Sequence, residues 1–132
     1  MDNFIVTDYD YGKLIVNKNC NLQLESIQAH NGRVHIENEL QSIFKVVDTL
    51  PDGAIFLDGG TNIGLVTLPV AHHTKGRINI ISFEPQRMLF NSLCGSIAMN
   101  EFYNVFPHNK ALSDEVGQVI IPQVDYTARS DY

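Results

Sequence analysis

The chain has 132 residues, 44% hydrophobic and 18% charged, which suits one globular domain and excludes a disordered or repetitive chain. Fifteen acids against nine bases give a net charge of −6, and the scattered bases form no stripe that could neutralise a phosphate backbone, so no nucleic-acid partner is expected. Cys20 and Cys94 belong to no C-x-x-C pattern, the acidic first ten residues lack a signal-peptide pattern, and no stretch is long enough to cross a bilayer; the expectation is a soluble, cytoplasmic, reduced chain with no membrane partner.

Residues 1–35 read as a small β cap of short strands. Leu14, Ile15 and Val16 precede a polar run at 17–21, and Asn31-Gly32 is placed for a tight turn before Val34 and Ile36. Over 36–50, the residues Ile36, Leu40, Ile43, Phe44, Val47 and Leu50 follow the spacing of a helix with one buried face, and Pro51-Asp52-Gly53 stops it. Ala54-Ile55-Phe56-Leu57 is a continuous apolar run, which suits a parallel strand covered on both faces.

A helix is predicted over 61–73 from Ile63, Val66, Leu68 and Val70, closing at Lys75-Gly76. A strand over 78–83 follows. Pro85 suits the first turn of a further helix, buried through Met88, Leu89, Leu93 and Ile97 and running to about Met99. Residues 105–112 read as a third strand, with Pro107 pointing to an edge or a bulge, and Val119-Ile120-Ile121 as a last strand ended by Pro122. This alternation builds a parallel sheet through right-handed crossovers, so the expected class is α/β with a Rossmann-like sheet.

The most informative segment is Asp58-Gly59-Gly60-Thr61-Asn62-Ile63-Gly64, where a strand empties into a glycine turn. A phosphate-binding P-loop would need Gly-Lys-Ser/Thr at its end, but Leu65 and Val66 follow Gly64. A dinucleotide fingerprint G-x-G-x-x-G fits in neither register, and Asp58 would meet a pyrophosphate with like charge. The ammonium of a methionine moiety would instead be attracted to Asp58. Gly60 would let the backbone approach a ligand, and free N–H groups of the following helix could bind a carboxylate.

Glu84 stands twenty residues beyond Gly64, at the end of the second strand of this unit, placed to accept hydrogen bonds from ribose hydroxyls. The plainer reading remains open: Asp58-Gly59-Gly60 is a tight turn and Glu84 a helix-start acid. Together the features point to S-adenosylmethionine as the cofactor.

These residues resemble the FkbM-type family of S-adenosylmethionine-dependent methyltransferases, whose cofactor turn typically reads Asp-x-Gly-Ala-Asn-x-Gly. The resemblance continues through Phe83-Glu84-Pro85, Asn91, Leu93, Asn100, Asn104-Val105, Ala111-Leu112-Ser113-Asp114 and Gly117, spanning about 37–121. It implies a class I methyltransferase sheet and methylation of a sugar or small-molecule hydroxyl. Carried over, Asp58, Gly59, Gly60, Thr61, Asn62 and Gly64 form the methionine end of the site, Glu84 and Pro85 lie at the ribose, and Asn109 to Leu112, Ala111 among them, lie near the adenine.

The resemblance divides the chain into a 1–35 cap and a 36–132 cofactor-binding domain, and it places strand four of the family's sheet near the end of the chain. With the family's strand order 3-2-1-4-5-7-6, strand one is then an open edge, which invites a homo-oligomer or cover by the 119–121 strand.

Candidate bases are His72, His73 and His108, with Glu37 and Glu39 at the start of a helix, but none is assigned catalysis. His30 and His35 lack zinc-site spacing, and no metal is expected. Two other functions compete with methyl transfer: a non-catalytic nucleoside-binding or assembly module, and a nicotinamide-dependent reductase, which would need a glycine where Asn62 stands.

Overall fold

The computed structural model describes residues 2–29 and 36–129. The tight turn expected at Asn31-Gly32, with His30, Val34 and His35, lies outside the described residues.

The chain opens with an antiparallel hairpin, β1 (Phe4–Tyr9) and β2 (Gly12–Asn17), registered from Phe4 opposite Asn17 to Tyr9 opposite Gly12. The polar run that follows does not lead to more strands. Residues Asn21–Ala29 form helix α1, because Cys20, Leu24 and Ile27 recur at helical spacing and Ile27 is buried. The cap is therefore a hairpin with a helix.

Helix α2 (Glu37–Val47) buries Leu40, Phe44 and Val47, as its spacing predicts. The Arg77 guanidinium donates to the carbonyl of Val47, the last α2 residue, at 2.6 Å and to that of Leu50 just beyond it at 2.5 Å.

Strand β3 (Ile55–Gly59), helix α3 (Thr67–Thr74), β4 (Asn79–Phe83), α4 (Arg87–Met99) and β5 (Val105–His108) complete the order. The sheet is parallel with β4 in the middle, in the order β3-β4-β5. Pro107 lies on an edge strand, where its missing N–H leaves no gap in a ladder.

Helix α3 starts six residues later than the 61–73 spacing predicts, because Asn62 (φ 55°) and Gly64 (φ 98°) take left-handed conformations that no α-helix contains. It ends where expected, with Lys75 left-handed at the C-cap. Pro85 precedes Gln86, the N-cap of α4, rather than entering the first turn.

Phe56, Ile80 and Val105 share a register row and one sheet face, which packs into the core with Leu68, Leu89 and Leu93. Ile55, Leu57 and Phe106 face the other way and are 59%, 65% and 49% exposed. The β3 run is thus covered on one face only, contrary to the two-sided cover its apolar composition predicts.

The hairpin joins the sheet domain through α4 side chains. Ser96 Oγ accepts from the Ile15 N–H at 2.9 Å, Asn100 Oδ1 from the Lys13 N–H at 2.8 Å, and Asn100 Nδ2 donates to the Lys13 carbonyl at 2.6 Å. These polar side chains stand in for a neighbouring strand along β2.

Beyond β5 the chain has no regular structure up to residue 125. The third strand stops at His108 rather than at Leu112, and the strand expected at 119–121 does not form. Val119 is 65% and Ile120 93% exposed. Apolar β-branched residues form a strand only against a partner edge, and Val119 and Ile121 instead line the cleft beside Pro85 and Asn109. Among the described residues nothing pairs with the outer edge of β3, so the fold-back of residues 119–121 onto that edge is also overturned. No helix of the described residues is long and apolar enough to cross a membrane.

Candidate functional site

The turn after β3 is tied to the end of β4. The Gly60 and Thr61 N–H groups both donate to the Phe83 carbonyl, at 2.9 and 3.0 Å. The next N–H, of Asn62, donates to Glu84 Oε2 at 2.8 Å, while Glu84 Oε1 accepts from the Gln86 N–H at 2.7 Å. Glu84 is 5% exposed. Its carboxylate has about four acceptor positions and spends two on these bonds, which fix its orientation and leave capacity for further donors.

Asn62 locks the turn from within. Its Oδ1 accepts from the Ile63 N–H at 2.8 Å and from Gln23 Nε2 of α1 at 2.9 Å, which uses both lone pairs and supports the left-handed backbone that asparagine tolerates better than most residues. The Gly64 N–H donates to the Thr61 carbonyl at 2.9 Å. The N–H groups of residues 60–64 are therefore all donated inside the fold, and anion binding at this helix start would fall to groups beyond Gly64.

Asp58 Oδ2 accepts from Thr67 Oγ1 at 2.6 Å, and Thr67 Oγ1 lies 2.9 Å from Thr61 Oγ1. Since the Thr67 proton goes to Asp58, Thr61 is the donor of the second bond. The chain Thr61 to Thr67 to Asp58 steadies the carboxylate and leaves it charged acceptor capacity.

The two glycines of positive φ in this turn differ in surroundings. A Cβ on Gly60 (φ +75°) would meet nothing within 4 Å, whereas one on Gly64 (φ +98°) would come to 2.7 Å from Leu93 Cδ1 and 2.9 Å from Leu68 Cγ. Gly60 opens onto free space beside the turn. Gly64 is demanded by packing of the turn against α3 and α4. Gly59 is covered by the later loop, since a Cβ there would stand 3.0 Å from Leu112 Cδ1.

Pro85, Asn109, Ala111 and Leu112 line a cleft of about 760 Å³ with residues 115–119. Asn109 Nδ2 donates to the carbonyls of Glu84 and Pro85 at 2.8 and 3.1 Å, which holds the loop after β5 against the end of β4. The structure thus brings Gly60, Thr61, Asn62, Glu84, Pro85, Asn109 and Ala111 to the C-terminal ends of the parallel strands, where ligands of open α/β sheets bind.

The candidate bases lie elsewhere or are engaged. His73 stacks on Phe44 (centroids 4.2 Å apart, planes 3° apart) and its Nε2 is 2.8 Å from Asp48 Oδ1, and His72 packs edge-on to Tyr11. Aromatic packing explains both better than the helix dipole does. Glu37 Oε1 accepts from the Tyr11 hydroxyl at 2.7 Å and from Gln41 Nε2 at 2.8 Å. His108 stacks on Phe83 at 5.3 Å, at the same strand ends as Glu84.

Gln23 and Thr67 join the site without having been singled out in the sequence. Gln23 could have been found from its i, i+4 spacing to Ile27 in α1. For Thr67 only the three-dimensional fold carries the signal.

No protein-family model matches the sequence, and no curated protein matches it. Solved structures do. A Pyrococcus horikoshii protein provisionally described as a transferase aligns at TM-score 0.58 and 16% identity, covering 84% of this chain and 37% of its own. Pyrococcus horikoshii TYW2 in complex with MeSAdo aligns at TM-score 0.56 and 15% identity, with the same coverage. A Pyrococcus abyssi tRNA (uracil-54, C5)-methyltransferase in complex with S-adenosyl-L-homocysteine aligns at TM-score 0.50 and 16% identity, over 86% of this chain and 24% of that one. The chain spans about a third of the length of the first two and a quarter of the third. At these identities the likeness is one of fold, a Rossmann-like α/β arrangement.

Proposed function

We propose that the chain carries the S-adenosylmethionine-binding part of a methyltransferase acting on a sugar or small-molecule hydroxyl. One observation carries the reading. The buried Glu84 carboxylate is oriented by two backbone N–H groups at the end of β4, next to a turn whose Gly60 leaves its Cβ position empty.

The residues present suit the cofactor's chemistry. Asp58 offers charge to the methionine ammonium, Glu84 offers acceptors to ribose hydroxyls, and the Pro85, Asn109 and Ala111 wall of the cleft suits a flat base. The bound ligands named for two of the structural neighbours, MeSAdo and S-adenosyl-L-homocysteine, belong to the same nucleoside class and support this choice. The finer assignment to the FkbM-type family rests on the motif residues from Asp58 to Gly64 and on Phe83-Glu84-Pro85.

When bound, S-adenosylmethionine supplies a sulfonium-activated methyl group. This chain's own residues hold and orient it, and no general base is assigned.

A second reading, an assembly module that keeps the nucleoside turn, is favoured by the outer edge of β3, which nothing among the described residues pairs with, and by the exposed Ile55 and Leu57 beside it. In either reading we propose that this edge pairs with a second copy of the chain.

Calorimetric titration with S-adenosylhomocysteine, with NADH as the rival ligand, tests the function. Saturable binding of the first alone is expected. Glu84→Ala should weaken it by about 1.5–3 kcal/mol, the loss of a charge-assisted hydrogen bond. Absence of S-adenosylhomocysteine binding would sink the reading.

A further inference from the structure

The hydrogen bonds around Glu84 close a circuit through segments far apart in sequence. Gln23 of α1 donates to Asn62, Asn62 donates to Glu84, and Glu84 accepts from the Gln86 N–H. From there Gln86 Nε2 donates to the Pro122 carbonyl at 3.2 Å. Four residues on, the Tyr126 carbonyl accepts from Asn17 Nδ2 at 2.8 Å and Asn19 Nδ2 at 3.0 Å, just ahead of α1. Helix α1 returns the circuit to Gln23.

The far side of this ring is the irregular segment 122–126. Side-chain amides donating to its carbonyls hold it at both ends, in place of a backbone ladder. Tyr126 is half-buried, with its ring centroid 5.5 Å from that of Phe4. Burial raises the pKa of its phenol, the nearby Glu84 charge raises it further, and Arg87 opposes. The ring packs against Phe4 at one end of the segment, while Pro122 at the other end meets Gln86, whose N–H binds Glu84.

We propose that residues 122–126 form a strap across the ribose side of the nucleoside site, seated on Gln86 beside Glu84 at one end and anchored by the Tyr126 ring against Phe4 at the other. The proposal rests on the nucleoside reading above and adds a part of the site supplied from outside the Rossmann-like sheet. A ribose bonded to Glu84 presents one side to the strand ends and the other to water. A strap on that second side excludes water from the Glu84 hydrogen bonds, which strengthens them. Amide anchors of this kind are individually weak, so the strap can open to admit the ligand and close over it.

Chymotrypsin cleavage of the whole chain provides the test, because the protein carries its own control. Tyr103, 84% exposed, lies between α4 and β5 at the opposite end of the sheet from Glu84. With S-adenosylhomocysteine at a concentration that calorimetry establishes as saturating, cleavage after Tyr126 should slow by about fivefold or more while cleavage after Tyr103 keeps its rate. Gln86→Ala removes one anchor and keeps the backbone N–H that Glu84 accepts. It should speed ligand-free cleavage after Tyr126 and weaken S-adenosylhomocysteine by up to about tenfold.

Bound ligand with an unprotected Tyr126 would overturn the strap alone. Equal slowing at both tyrosines would reveal general stabilisation and overturn it as well. No binding at all would overturn the nucleoside reading and take the strap with it.

Discussion

Replacing Gly60 and Gly64 one at a time by alanine separates ligand approach from packing. Both have positive φ, +75° and +98°, so each alanine pays the left-handed strain of about 1 kcal/mol. At Gly60 nothing stands within 4 Å of the new methyl. At Gly64 the methyl meets Leu93 Cδ1 at 2.7 Å and Leu68 Cγ at 2.9 Å, and overpacking of that kind adds about 1–3 kcal/mol.

The expected losses are therefore about 1 kcal/mol for Gly60→Ala and about 2–4 kcal/mol for Gly64→Ala. In a domain of this length about 4 °C of melting temperature accompanies each kcal/mol, so the drops should be about 4 °C and about 8–16 °C. Circular dichroism melting measures them, and titration with S-adenosylhomocysteine measures binding on the same samples. Gly60→Ala should lose about tenfold or more in affinity despite its small effect on stability, because its methyl occupies the space left beside the turn. Equal melting temperatures for the two variants would refute the steric ranking, and wild-type affinity in Gly60→Ala would place the ligand elsewhere.

Tyr9 and Tyr126 predict alkaline behaviour. Burial, then the neighbouring Tyr11, pushes the Tyr9 phenol far above the usual range, and Tyr126 is raised by burial, then by Glu84. Folded values above the unfolded 10.0 mean that the stability these groups contribute is complete below that pH and is lost as pH rises through the folded values. Alkaline unfolding above about pH 10 should therefore be blunted in Tyr9→Phe, and spectrophotometric titration should find Tyr9 ionising only with unfolding. Ionisation of Tyr9 alongside exposed tyrosines would contradict its burial. The β3 edge predicts self-association by light scattering, with Leu57→Lys monomeric, since a charge at that edge opposes pairing. A monomeric wild type across all concentrations would dismiss the second copy.

The elements that position the site were legible where local chemistry and tertiary context agree. The β3 run, its glycine turn, Glu84 at the end of β4 and the Leu89 and Leu93 face of α4 all stand close to their predicted places. So does Pro107 on an edge strand. Helix α1 was hidden because its stripe, Cys20, Leu24 and Ile27, is short and set among polar residues. Residues 119–121 misled in the opposite direction, having strand composition but lying in the irregular segment after β5.

By itself the sequence determined the α/β alternation and the chemistry of one turn, because hydrophobic spacing and the backbone demands of glycine and asparagine act over a few residues. Only the tertiary structure decided which groups meet there. It assigned Gly64 to packing and Gly60 to open space, brought Gln23 to Asn62 across 39 residues, and laid the 122–126 segment between Gln86 and Asn17. Such contacts depend on how sheet, hairpin and loop share one core, and no local pattern encodes them.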